Sequence, residues 1–277
     1  MQILRYAQDL HLLSITSEIQ KQEKMLNPLS TGIETGLGVA AALGLAAGGY
    51  AYAAMWPGSQ FFGRTLIAPK RPGELALTFD DGPNSVWTPR LLETLAQYDV
   101  RATFFMVGGS AERQAGLVRQ MAEAGHLIGS HSWTHPNLAM TGSVQIREEL
   151  RRSKDMLEQI IGQPVRYFRP PFGGRRPAAL CIARQMGMTP VLWNAMTSDW
   201  KKPSAEGIAA RLTSKIDRLE RRGWAANIVL HDGNHLDPAA DRGPSVAAAG
   251  MLLERYAGTH RFVTVADDGW NRKASNE

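Results

Sequence analysis

A single cysteine, Cys181, in 277 residues excludes an intrachain disulfide and leaves the redox compartment open. It lies in the apolar, helix-like stretch Ala178–Met186 and reads as a buried structural thiol, not a nucleophile. Long runs of one charge are also missing. Lys and Arg outnumber Asp and Glu by 31 to 26, for a net charge of +5, but the basic residues are scattered in short pairs such as Arg151-Arg152 and Arg221-Arg222. Nothing here resembles a basic arm for nucleic acid, and the excess reads as a solvated surface. No internal repeat is present, and no low-complexity tract beyond an Ala/Gly segment. With 44% hydrophobic and 21% charged residues, the chain can bury the core of one large domain or two small ones.

Charge is absent altogether from Thr35 to Gly63. Within that stretch, Leu37–Trp56 is 20 residues of mostly Ala, Gly and Leu, long enough to span a bilayer as a helix. Gly44 and Gly48 would let two such helices pack closely, and Tyr50, Tyr52 and Trp56 fall where an interfacial aromatic belt would lie. A membrane anchor is the expectation. A cleaved secretory signal, with Ala51-Tyr52-Ala53 as a small-residue site, and a soluble helix are the alternatives. Residues 1–36 read as an amphipathic or unstructured segment, with Met25 as an alternative start. The positive-inside rule gives no orientation, because Lys21 and Lys24 precede the segment and Arg64, Lys70 and Arg71 follow it.

Residues 57–73 read as a linker, polar from Arg64 to Gly73 and carrying Pro69 and Pro72. From residue 74 to 267, short apolar runs alternate with helical ones. Strands are predicted at Leu75–Phe79, Ala102–Val107, Leu127–Ser130, Tyr167–Arg169, Pro190–Asn194, Ile228–His231 and Phe262–Val265. Helices are predicted at Pro89–Tyr98, Glu112–Ala124, Val144–Ile161, Pro177–Met186, Ala205–Arg222 and Ser245–Tyr256. That alternation implies an α/β domain with a parallel sheet, open or closed into a barrel. Residues 268–277 read as a polar tail.

In parallel α/β folds functional residues gather at the C-terminal ends of strands. There the sequence places Asp80-Asp81 after the first strand, His131 and His135 after the third, Arg169 with two prolines after the fourth, Asp199-Trp200 after the fifth and His231 after the sixth. Adjacent carboxylates repel unless a cation or a cap relieves them. Two histidines four residues apart, with one Asp, would make the three protein ligands common in catalytic zinc sites. Each element alone is also compatible with a structural role; the combination at five strand ends is what points to a site.

In this order the motifs resemble the polysaccharide deacetylase family, also called carbohydrate esterase family four or NodB-type deacetylases, over roughly Glu74–Val265. The resemblance implies a distorted (β/α)7 TIM-like barrel. It implies a divalent metal, most often Zn2+ with Co2+, Mn2+ or Ni2+ as alternatives, on Asp81, His131 and His135. Asp80 would be the general base, Arg169 its positioning partner, His231 the general acid and Asp199 the residue orienting it. Trp200 would pack against His231, and Phe172 would offer a backbone N–H to the oxyanion. One departure is clear: the fourth motif commonly begins with Asp, and Met196 stands in that place.

What the resemblance implies is a hydrolase that removes an N-acyl group, N-acetyl above all, from amino sugars of an envelope polysaccharide such as peptidoglycan or a chitin-like polymer. With the anchor, its catalytic domain is expected on the periplasmic or extracellular side, or secreted. Alternatives are a deacylase or deformylase of a lipid-linked amino sugar and a non-catalytic relic that binds carbohydrate. No nucleic-acid partner is expected. His126 reads as structural, Trp133 and Trp193 as packing, and His235 and Asp232 as either groove-lining or loop-capping.

Overall fold

The computed structural model describes residues 2–201, 203–267 and 270. The chain divides into two units, Met1–Tyr52 and Ala53–Glu277. The first belongs to one long helix, α1 (Gln2–Met55). The stretch Leu37–Trp56 is therefore not a separate element but the end of this helix. Leu37, Val39, Leu43 and Leu45 are exposed on it. Among the described residues no helix is long and apolar enough to cross a membrane. This corrects the expected transmembrane anchor. Ala and Gly dominate the segment, and each offers far less apolar surface than Leu or Ile.

The second unit is built on parallel strands: β1 (Glu74–Asp80), β2 (Thr103–Met106), β3 (Leu127–Ser130), β4 (Tyr167–Phe168), β5 (Thr189–Pro190), β6 (Ala195–Met196), β7 (Ala226–His231) and β8 (Arg261–Phe262). Their order is β5-β4-β3-β2-β1-β7-β6, with β8 also paired to β1. Every residue of β1 is buried, as a central parallel strand covered on both faces requires. Leu75–Asp80 pair with β7 on one edge. The other edge is shared, β8 taking Glu74–Leu75 and β2 taking Thr78–Asp80.

The two ends of the sheet, β5 and β6, are joined by Val191–Asn194. That connection can span on the order of 18 Å at most. A sheet whose two outer strands are tied so closely must curl almost shut, and the result is the expected distorted barrel. The predicted fifth strand is here divided into β5 and β6, one on each side of the seam.

The helices are α2 (Trp87–Gln97), α3 (Gly108–Arg113), α4 (Ala115–Glu123), α5 (Ser143–Ile161), α6 (Pro177–Gln185), α7 (Ala205–Glu220) and α8 (Gly243–Tyr256). In α5 the buried residues Ile146, Leu150, Leu157 and Ile160 recur at helical spacing, and the helix stops at Gly162 with φ 67°. The Ser204 hydroxyl caps α7 by accepting from Gly207 N–H. Cys181 is exposed, contrary to the expected buried thiol. Helix α6 buries Ala179, Leu180, Ile182 and Ala183, and Cys181 falls on the opposite face.

The stretch expected as a linker joins the compact unit. Leu66 pairs with Val191 beside the seam, donating to Pro190 O and accepting from Leu192 N–H. The Arg175 guanidinium donates to the carbonyls of Trp56 and Ser59 at 2.6 and 2.8 Å. The expected tail lies outside the described residues except for Trp270, which is buried.

Candidate active site

Asp80 and His231 are direct cross-strand partners at the C-terminal ends of β1 and β7. The sheet thus sets a carboxyl group and an imidazole side by side at the rim of a cleft of about 490 Å³. Asp81, His131, His135, Phe172 and Trp200 line the same cleft. Arg169 and Asp199 stand behind it, buried, each bonded to a lining residue.

Asp80 Oδ1 accepts from Arg169 Nη1 at 2.7 Å. The fully buried guanidinium also donates to Thr78 Oγ1 and Leu192 O, and lies over the Phe105 ring at 4.2 Å. A buried ion pair of this kind holds only while both partners remain, because either charge alone is strongly destabilising. Arg169 O in turn accepts from His131 Nδ1 at 2.7 Å. Binding a carbonyl fixes the proton on Nδ1 and leaves the Nε2 lone pair facing the cleft. Burial pushes the His131 imidazole down to about 4, against the pull of Asp80, so it is neutral.

Asp81 Oδ1, His131 Nε2 and His135 Nε2 form a small triangle: 3.5 Å and 3.1 Å from the carboxylate to the two nitrogens, and 3.2 Å between the nitrogens. Donors about 2.0–2.1 Å from a tetrahedral zinc stand about 3.3 Å apart, so three atoms at these separations can face a single ion. Asp81 Oδ1 and His135 Nδ1 are buried without a hydrogen-bond partner among the described residues, as is Nδ1 of the adjacent His235. Asp81, His135 and His235 also offer donor atoms within 4.8 Å of one another. The residues therefore fit a divalent cation. Burial works against the Asp81 charge, but the nearby imidazoles of His135 and His235 and the charge of His231 hold it well below the usual carboxylate range.

Backbone strain concentrates here. Five described non-glycine residues have positive φ, and Asp81 (68°), Ser132 (66°), His135 (65°) and Phe172 (57°) are four of them. Such conformations cost about 1–3 kcal/mol each and persist where surrounding contacts enforce them. The His131–His135 turn is enforced by Glu149 of α5, whose carboxylate accepts from Trp133 N–H, Thr134 N–H and the Thr134 hydroxyl. Gly233 is required where the loop after β7 meets the Asp81 backbone, since a Cβ there would collide with Asp81 O. Neither Glu149 nor Gly233 was identified from the sequence, because neither belongs to a motif with a chemical signature of its own.

On the other side, Asp199 Oδ1 accepts from His231 Nδ1 at 2.9 Å, and its Oδ2 accepts from His231 N–H and the Ser245 hydroxyl. Burial disfavours the imidazolium, but the Asp199 charge and hydrogen bond outweigh it and raise His231 to about 9. Trp200 sets its edge against the His231 ring, 5.1 Å between centroids. Phe172 is half exposed, with its edge against His135 at 4.6 Å. Asp232, left open by the sequence, is buried with Thr88 donating to it at 2.5 Å, and burial pushes it up to about 7. His126 accepts from Ala102 N–H away from the cleft, a structural placement. Met196 and Trp193 line the cleft.

Comparison with known proteins defines the class. The polysaccharide deacetylase family profile matches residues 68–191. A peptidoglycan-N-acetylglucosamine deacetylase of Bacillus cereus is 38% identical over 176 residues, covering 62% of this chain and 62% of that relative's length. The solved structure of the Bc1960 peptidoglycan N-acetylglucosamine deacetylase, in complex with 4-naphthalen-1-yl-N-oxidanyl-benzamide, is 32% identical with a TM-score of 0.64, covering 73% of this chain and 90% of that one. A carbohydrate esterase family four pseudoenzyme from Bacillus anthracis is 26% identical with a TM-score of 0.61, covering 72% of this chain and 65% of that one. The chain belongs to the polysaccharide deacetylase family.

Proposed function

We propose that this chain is a zinc-dependent hydrolase that removes the N-acetyl group from N-acetylglucosamine residues of a cell-envelope glycan such as peptidoglycan. The observation that carries the reading is the union, in one cleft, of a carboxylate base, an imidazolium and a three-donor triangle. Its relatives' names point to the same substrate class.

Asp81, His131 and His135 would hold the ion, which when bound supplies Lewis acidity for the amide carbonyl and for water. The remaining work falls to this chain's side chains. Asp80, held in place by Arg169, takes a proton from the attacking water as the water oxygen bonds to the acetyl carbon. Phe172 offers its backbone N–H to the developing oxyanion. As the carbon–nitrogen bond breaks, His231 gives its Nε2 proton to the departing nitrogen, so acetate and a free amino sugar result. An amine leaves an amide only when protonated, and Asp199 keeps that proton on His231 at neutral pH. A binding relic of the fold has less support, since it would be expected to lack one of these groups. We place the catalytic unit outside the cytoplasm, where envelope glycan lies.

The test is acetate release from an N-acetylglucosamine pentamer by the full chain, before and after chelation and zinc return. Release that stops with chelator and resumes with zinc supports the reading. No release with one zinc bound per chain would redirect the search to lipid-linked or formylated amino sugars. No release and no zinc would reject it.

A further inference from the structure

The loop after β7 brings one more ring nitrogen to this cleft. His235 stacks on His135, with centroids 3.9 Å apart and planes 28° from parallel. Its Nδ1 points at the second oxygen of Asp81, 3.7 Å away, and is buried with no hydrogen-bond partner among the described residues. A buried ring nitrogen left unpaired is costly, and a structural histidine would normally pair it with a backbone or side-chain group, as His126 Nδ1 does in accepting from Ala102 N–H. Here it is aimed at a carboxylate that already faces His131 and His135. The loop fixes that aim. Asn234 Oδ1 accepts from Leu236 N–H and Asp237 N–H just after His235, and Arg242 Nε donates to Gly233 O at 2.6 Å.

We propose that His235 is a fourth protein ligand of the metal centre, joining Asp81, His131 and His135. This rests on the metal-site reading above. Catalytic zinc sites commonly use three protein ligands and keep one position open. A fourth donor on this loop would add to the hold on the ion from outside the three strand-end ligands. The loop residue would then govern metal retention without belonging to the fixed triangle.

The test compares the wild type, His235→Ala, His235→Gln and His135→Ala as full chains. Zinc affinity is read by competition with a chromophoric chelator, and coordination by the visible absorption of the cobalt-loaded protein. Both His235 variants should hold zinc about tenfold or more weakly, a loss of the size that even outer partners of metal ligands produce. Their cobalt bands should change in intensity and position. If either readout stays within twofold of wild type in the variants that fold, His235 is not a ligand and the proposal fails. His135→Ala separates the two readings: its loss of zinc alongside intact His235 variants leaves the three-donor site standing. A wild type that binds no zinc would reject both.

Discussion

One carboxylate, Asp199, grips both the ring and the backbone of His231, accepting from Nδ1–H at 2.9 Å and from the main-chain N–H at 2.9 Å. The ring can neither turn nor shed its proton easily. Because its folded-state value is raised from 6.5 to about 9, the imidazolium persists through neutral pH and is lost as pH rises through about 9. The stabilisation it gives the fold is complete below about 6.5 and fades over the same upper range. Activity should therefore fall above pH 9. In Asp199→Asn that alkaline limb should move down toward 6.5, with kcat at neutral pH reduced about 10²-fold or more. A pH–rate profile of both proteins checks this; an unmoved limb would mean that His231 is not the acid.

Arg169 and Asp80 form a fully buried pair. Arg169→Ala leaves the Asp80 carboxylate without its cation and should lower unfolding free energy by about 3–5 kcal/mol in urea titrations. A loss under 1 kcal/mol would show that Asp80 does not depend on this partner.

Glu149 touches no group of the proposed chemistry, yet it holds the turn between His131 and His135 through three hydrogen bonds. Glu149→Ala should weaken zinc binding about 10–100-fold, as loss of support behind metal ligands does. Isothermal titration reads it directly, and wild-type affinity would show that the turn keeps its shape unaided.

His126 is held neutral in the fold, pushed down to about 4 chiefly by burial, with Arg101 adding to the effect. Its folded-state value lies below the unfolded one, so the unfolded chain takes up the proton first and stability falls as pH drops from 6.5 toward 4. His126→Gln should flatten part of that slope in denaturation curves measured across this range. An unchanged slope would assign the acid sensitivity elsewhere, His131 being the other histidine pushed down to about 4.

Much of this site was legible in the sequence because a parallel sheet delivers the ends of its strands to one rim. Asp80, Asp81, His131, His135, Arg169 and His231 sit where that rule puts them. What stayed hidden depends on partners far along the chain. Ser245 reaches Asp199 from the start of α8, and Glu149 reaches Thr134 from α5, both through ordinary hydrogen bonds that no motif announces. Cys181 was misjudged because an apolar stretch does not reveal the phase of a helix against its sheet. The fifth strand divided because the chain crosses the barrel seam between Pro190 and Ala195, a feature of closure and not of composition. The Ala/Gly run was long and uncharged enough for a span but not apolar enough, so its length, its glycine pair and its aromatic end had suggested an anchor.

The most direct test of the account is Asp80→Asn, assayed for bound zinc and for acetate release from the N-acetylglucosamine pentamer beside the wild type. The account predicts one zinc per chain in both proteins and a rate lowered about 10²–10⁴-fold in the variant. A zinc-loaded variant that releases acetate as fast as the wild type would contradict it.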